Sequence, residues 1–204
     1  MPHTYLLSQL LSKHGQEEWG YVVYRITYDD EKLRLFLDAL QAFVEYETDE
    51  EVVEMLHWIV MDDREAFDGA SIAVVRKACA KATEACILAD AASVDSVLAI
   101  ALPGQPGHKF TDNREYVIVV DALHDPKVGY DPPSYPGWMK ANAQHIGPLY
   151  NYILDEGVPT WYPGPGEPLQ RPYVLPAWLN VPSATYGPAL EQSGSGHFED
   201  RLVT

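Results

Sequence analysis

The chain has 204 residues, 14 basic against 30 acidic, a formal net charge of −16 at pH 7 and a hydrophobic content of 47%. That length suffices for one substantial core, alone or with a long extension, and the composition is that of an ordinary globular protein. The acidic balance argues against binding to nucleic-acid phosphates or anionic lipid surfaces, which recruit Lys and Arg; it fits steering of a cationic ligand, or solubility alone.

Residues 1–11 have neither a basic head nor a long apolar run, so no secretory signal is expected. No window approaches the ~18 apolar residues of a membrane span. The two cysteines, Cys79 and Cys86, fall on what reads as one helix. At ~1.5 Å rise per residue they stand roughly 10 Å apart there, too far for a disulfide. Buried thiols in a reducing compartment, and hence a cytosolic protein, are the expectation.

In chain order, Tyr5, Leu6, Leu7, Leu10 and Leu11 make a short apolar patch that Gly15 would stop. Residues 19–28 form the clearest strand, with aromatic and β-branched side chains on both faces: Val22, Tyr24, Ile26 and Tyr28 on one, Tyr21, Val23, Arg25 and Thr27 on the other. Asp29 and Asp30 end it and can cap a helix over 31–47, where Leu33, Phe36, Leu37, Leu40, Phe43 and Val44 make one apolar stripe. Residues 54–61 read as a second strand, although Val52, Met55, Leu56 and Ile59 also match a helical period. Ser71 is a candidate cap for a helix over 72–88, with Val75, Ala78, Cys79, Ala82 and Cys86 on its buried side.

Residues 89–101 fit a short helix or a strand, and Pro103 to Gly107 is a loop. The continuous run Tyr116-Val117-Ile118-Val119-Val120 predicts a central strand over 115–122. His124, Asp125 and Pro126 then turn the chain toward a short edge strand at 127–130. Twelve of the 16 prolines lie beyond residue 130, among large rings including Trp138, Trp161 and Trp178. Residues 131–190 therefore read as an extended arm packed over a core domain of residues 1–130, with one short helix near 146–154. Residues 191–204 read as a flexible tail.

The usual chemical motifs are missing. The seven histidines show no HxH or HxxxH spacing and no cysteine partner, so no metal site is expected. His124 and Asp125 beside Asp121 suggest a cation at a strand end, but turn chemistry accounts for the same residues. There is no Gly-x-Ser-x-Gly elbow, and the cysteines lie on a buried face where a thiol is inert. The glycines at 104 and 107 match neither a P-loop nor a dinucleotide fingerprint, so no cofactor is expected.

Two features remain. The pairs Asp29/Asp30 and Asp62/Asp63 each follow a predicted strand; if those strands are neighbours the carboxylates cluster, for acid–base work or simply as caps. Arg25, on a sheet face, needs a carboxylate or an aromatic ring; it serves either as a structural ion pair or as an anion anchor between sheet and arm. Tyr21, Arg25, Asp62, Asp121 and Trp138 are the candidate ligand-binding residues.

The segments Trp19-Gly20-Tyr21-Val22-Val23-Tyr24-Arg25, Phe67-Asp68-Gly69-Ala70-Ser71, Tyr116-Val117-Ile118-Val119-Val120-Asp121 and Gly137-Trp138-Met139, followed by an aromatic–proline region near Trp161-Tyr162 and Arg171-Pro172, occur in this order over roughly residues 19–178. Together they resemble an uncharacterised family of fungal cytosolic proteins. The resemblance implies a kingdom and a compartment and carries no reaction with it. Arg171-Pro172 is followed by Tyr173 where the resemblance leads one to expect a second proline.

The expected fold is α+β: a ferredoxin-like β-α-β-α-β sheet with helices on one face and the C-terminal Pro/aromatic-rich arm covering the other, a small α/β layer being the alternative. The expected function is that of an acidic cytosolic binding or interaction protein without metal or nucleotide cofactor, its partner an unknown small molecule or protein and neither nucleic acid nor membrane. The alternative is a small cofactor-free enzyme, an isomerase, cyclase or lyase. Its pocket would lie between sheet and arm, with Arg25 as anion anchor, a tyrosine as acid and Asp62 or Asp121 as base.

Overall fold

The computed structural model describes residues 17–48, 50–106, 115–129 and 135–162. The predicted patch at residues 5–11, the Arg171 region and the tail lie outside them. The strands are β1 (Val22–Arg25), β2 (Ile59–Met61), β3 (Ala85–Ala89), β4 (Tyr116–Asp121) and β5 (Trp138–Asn142). The helices are α1 (Asp30–Glu47), α2 (Glu50–Val53), α3 (Arg64–Phe67), α4 (Ile72–Cys79), α5 (Ala91–Leu98) and α6 (Ile146–Glu156), with 3-10 turns at Ala143–His145 and Val158–Trp161.

The five strands make one mixed sheet in the order β2-β1-β3-β4-β5. β1 is parallel to β2 and β3; β3 is antiparallel to β4, and β4 to β5. The α+β class thus stands, and the ferredoxin-like arrangement does not: the chain steps from β1 outward to β2, then back across β1 to β3.

Alternation along β1 explains why helices cover both faces. Tyr21 and Val23 belong to a cluster with Phe36, Leu40 and Phe43 of α1, Val94 and Val97 of α5, and Ile146, Leu149 and Ile153 of α6. Val22 and Tyr24 point the other way, with Cys86, Leu88, Ile118 and Val120, against Phe67 of α3 and Val75 and Cys79 of α4. The expectation of helices on one face is therefore corrected. Tyr24 does meet helices, its ring edge-on to Phe67 at 5.1 Å. But α1 lies on the opposite face, with Tyr21.

The largest difference concerns residues 72–88. The predicted single helix ends at Cys79, and Ala85–Ala89 is the central strand. Its five residues are buried and pair with β1 on one side and β4 on the other. The alanines of this stretch favour helix weakly, by tenths of a kcal/mol each, which tertiary pairing overrides. Cys79 and Cys86 therefore lie on different elements of one cluster, both free and buried, and helical spacing does not describe them. Hydrogen bonding to Cys79, and then burial, push the Cys86 thiol far above its usual range.

The segment read as an arm also differs. Residues 138–142 are strand β5 at the sheet edge, and residues 146–156 are a helix that contributes Ile146, Leu149 and Ile153 to the core. The edge strand expected at 127–130 is absent from the described residues 127–129. The corner between β5 and α6 is polar and buried. Glu115 accepts hydrogen bonds from Asn142 Nδ2 at 3.0 Å and from Gln144 Nε2, and the Gln144 amide caps on Asn142 Oδ1 at 2.7 Å. Glu115 is fully buried, so each lost bond there carries a desolvation cost.

Two substitutions check this frame. Gly20 has φ +144°, and a Cβ there would overlap the His57 carbonyl, so Gly20→Ala should lower unfolding free energy by about 2 kcal/mol or more in urea denaturation. Glu115→Ala should cost about 3 kcal/mol by leaving two buried amides unpaired, and Glu115→Gln clearly less, because one oxygen acceptor survives. Equal losses for the two variants at Glu115 would mean that the network does not hold the corner.

Candidate functional site

The five candidate residues do not come together. In the strand register Arg25 pairs with Ala89, at the carboxyl end of the parallel strands, whereas Asp121 pairs with Ala85, at the opposite edge of the sheet. Arg25 and Asp62 share the first edge. Trp138, beside Val120, shares the second with Asp121. Tyr21 is in the core: its hydroxyl donates to the Ile146 carbonyl at 3.0 Å, and its ring meets Tyr150 edge-on at 5.1 Å.

The Arg25 end occupies a topological switch point. The chain leaves β1 for α1 on one face and β2 for α3 and α4 on the other, the arrangement beside which ligands commonly sit in open α/β sheets. The two aspartate pairs do converge there, as neighbouring strands require. Asp29 and Asp63 cap helices, accepting from Lys32 N at 3.0 Å and Ala66 N at 3.1 Å. Asp30 and Asp62 hold Arg25. One terminal nitrogen meets Asp30, the other meets Asp62 Oδ2 at 3.2 Å, Nε donates to the Thr27 carbonyl at 3.0 Å, and the guanidinium lies 4.4 Å from the Tyr28 ring centre. The Arg25 side chain is 5% exposed, against 92% for Asp30 and 52% for Asp62. Its charge is thus already paired, which is the structural role, and it lines neither of the two concavities described here.

The Asp121 end is built differently. Asp121 is buried at the last position of β4. Its Oδ1 accepts the Leu123 amide at 2.9 Å, closing the turn into Leu123 and His124, and its Oδ2 accepts the Tyr135 hydroxyl at 3.1 Å. The His124 ring stands edge-on to Tyr135 at 5.4 Å. Gly137, φ +81°, lets the chain pass against Arg76 and His124, where a Cβ would collide with both. Burial raises the Asp121 carboxyl above its usual range, partly offset by its bonds to Leu123 and Tyr135. Burial and then the nearby Arg76 charge lower the His124 imidazole.

A cavity of about 180 Å³ opens beside Asp121, lined by Glu84, Leu123, Ile153, Gly157, Val158 and Pro159. At ~30 Å³ per water it holds roughly six water-sized groups. Among the described residues its lining side chains are apolar apart from the two carboxylates. Tyr135, Ile153 and Val158 were not legible as site residues: they lie 14 or more positions from Asp121, and only the return of the chain along β5 and α6 brings them there. His124 had a signal, its place beside Asp121 at a strand end.

A second concavity, a groove of about 540 Å³, lies over the end of α1 and is lined by Gln41, Glu45, Thr48, Glu50, Val53 and Glu54. Among the described residues no three His, Cys, Asp or Glu side chains are grouped so that they could hold a metal ion, and no helix is long and apolar enough to cross a membrane.

The two ends predict different mutant behaviour. Asp62→Asn should cost about 1 kcal/mol or less, because the carboxylate is half exposed and Asp30 keeps Arg25 paired; a loss above about 3 kcal/mol in chemical denaturation would contradict this. At Asp121 the folded carboxyl titrates above its ordinary 3.8, so the native state holds more protons than the unfolded chain just above that pH. Its contribution to stability is therefore greatest at low pH and declines as pH rises from about 3.8 through the folded value. Asp121→Asn, which does not titrate, should gain on the wild type over that window when the two are compared by denaturation at stepped pH.

No family model matches the chain, and neither does any curated protein or solved structure.

Proposed function

We propose that this chain is a non-catalytic binding protein of the cytoplasm, that it works without a metal or nucleotide cofactor, and that its ligand is a small molecule held in the cavity at Asp121. The observation that carries the reading is a buried carboxyl group set in the wall of a cavity whose described lining is apolar apart from the exposed Glu84. Recognition sites of this kind combine hydrophobic lining with a few placed polar groups. The Leu123 amide and the Tyr135 hydroxyl fix the carboxyl's orientation before any ligand arrives. The Arg25 end offers less, since its cation is occupied by Asp30 and Asp62.

One observation favours the second reading, a cofactor-free isomerase, cyclase or lyase. The raised Asp121 carboxyl, the Tyr135 hydroxyl and the lowered His124 imidazole stand together, three groups suited to proton transfer. In that reading the base is Asp121, not Asp62, and Arg25 is too remote in the sheet register to anchor the same substrate.

Native mass spectrometry of the full chain purified from its own host separates these readings. The expected result is a retained small molecule that Asp121→Asn releases and that is recovered chemically unchanged after prolonged incubation. A time-dependent mass change of the released molecule would establish the enzyme. Co-purification of a protein with an empty cavity would overturn both and favour an interaction protein.

A further inference from the structure

Resting on the reading of the Asp121 cavity as the binding site, we infer that its ligand is a short aliphatic primary amine in the ammonium form. The polar groups among the cavity's lining side chains are both carboxylates, Asp121 within and Glu84 at an exposed position. No lysine or arginine is among the described residues that line it. An anionic head group would meet two like charges with no counter-charge in the wall. A neutral polar head group would gain only ordinary hydrogen bonds, about half as strong as charge-assisted ones.

The fixed donors point the same way. Each carboxylate oxygen carries two lone pairs, and the Leu123 amide and the Tyr135 hydroxyl each take one. The His124 amide takes a third. One acceptor position on the carboxylate is then left, and an ammonium group meets it with one of its three N–H donors. A cation also relieves the cost of keeping Asp121 ionised while buried. Among the described residues the charged groups near this carboxyl are Glu84 on the cavity rim, and His124 with Arg76 behind it.

The rest of the wall sets the tail. Leu123, Ile153, Val158 and Pro159 offer hydrocarbon, and the volume of about 180 Å³ accommodates roughly six heavy atoms at ~30 Å³ each. That matches an amine of four to six carbons, on the order of one nitrogen and five methylenes, each buried methylene strengthening binding. The net charge of −16 raises the encounter rate with such a cation and opposes anions.

The test is calorimetric titration of the full chain at pH 7.5 and physiological salt, where surface charge is screened beyond about 8 Å. The probes are n-pentylammonium chloride, methylammonium chloride, 1-pentanol and sodium pentanoate. n-Pentylammonium should bind at least tenfold more tightly than any of the others. Asp121→Asn should weaken it at least tenfold, and Glu84→Gln, at an exposed position that leaves the fold intact, about threefold. Leu123→Trp should abolish binding by filling the mouth; Leu123 is 63% exposed, so the core is untouched. If 1-pentanol or pentanoate binds as tightly and Leu123→Trp abolishes it, the amine class is wrong and the cavity reading survives. If n-pentylammonium binds but ignores both Leu123→Trp and Asp121→Asn, it is held on the acidic surface, and the inference and the cavity reading both fall. Failure of every probe to bind the wild type overturns the amine, and the retained-ligand measurement then decides the cavity by itself.

Discussion

The fold depends on the hydrogen bonding of Ala85–Ala89. This buried strand carries two ladders, parallel to Val22–Arg25 and antiparallel to Ile118–Asp121. A parallel neighbour demands a crossover and an antiparallel one permits a direct return. The strand therefore joins two styles of chain path in one sheet. Its parallel side is wound by α1 and by α3 with α4, on opposite faces; its antiparallel side leads on through β4 to β5. Each strand that packs on both faces must be apolar on both, and Val23, Ile87, Val119 on one side and Tyr24, Leu88, Val120 on the other meet that demand.

That arrangement also separates the molecule's two polar ends. Because β4 runs against β3, the residue that ends β4 stands where β3 begins. Asp121 is thereby removed from Arg25 by the length of the sheet. The electrostatics differ accordingly. At the Arg25 end one buried cation is matched by two carboxylates that keep contact with water, and the cation's charge is offset. At the Asp121 end a buried carboxyl is held by the Leu123 and His124 amides and the Tyr135 hydroxyl, neutral donors that orient it without cancelling its charge. A group whose charge is not cancelled remains available to a ligand, which is why the proposed function rests there.

Much of this was legible residue by residue. The stripe of α1 announces its helix because the period of burial equals the period of the backbone, and the aromatic and β-branched runs of Trp19–Tyr28 and Tyr116–Val120 announce strands buried on both faces. The cap roles of Asp29 and Asp63 follow from their chemistry. The site was less legible. Asp121 and His124 could be suspected from their place at a strand end, but Tyr135 and the cavity wall from Ile153 to Pro159 carry no mark of their own.

The sequence by itself determined the class of the fold, the principal amphipathic elements, the acidity, and the need of Arg25 for a counter-charge, since each depends on neighbours in the chain or on side-chain chemistry alone. Tertiary structure decided that Ala80 to Ala89 should turn and become a strand. A short alanine-rich run satisfies either geometry locally, and only pairing with β1 and β4 distinguishes them. Tertiary structure also decided which charges meet. Whether a carboxylate faces an arginine or a largely apolar cavity depends on strand direction and order, and those are fixed by contacts between residues far apart in the chain.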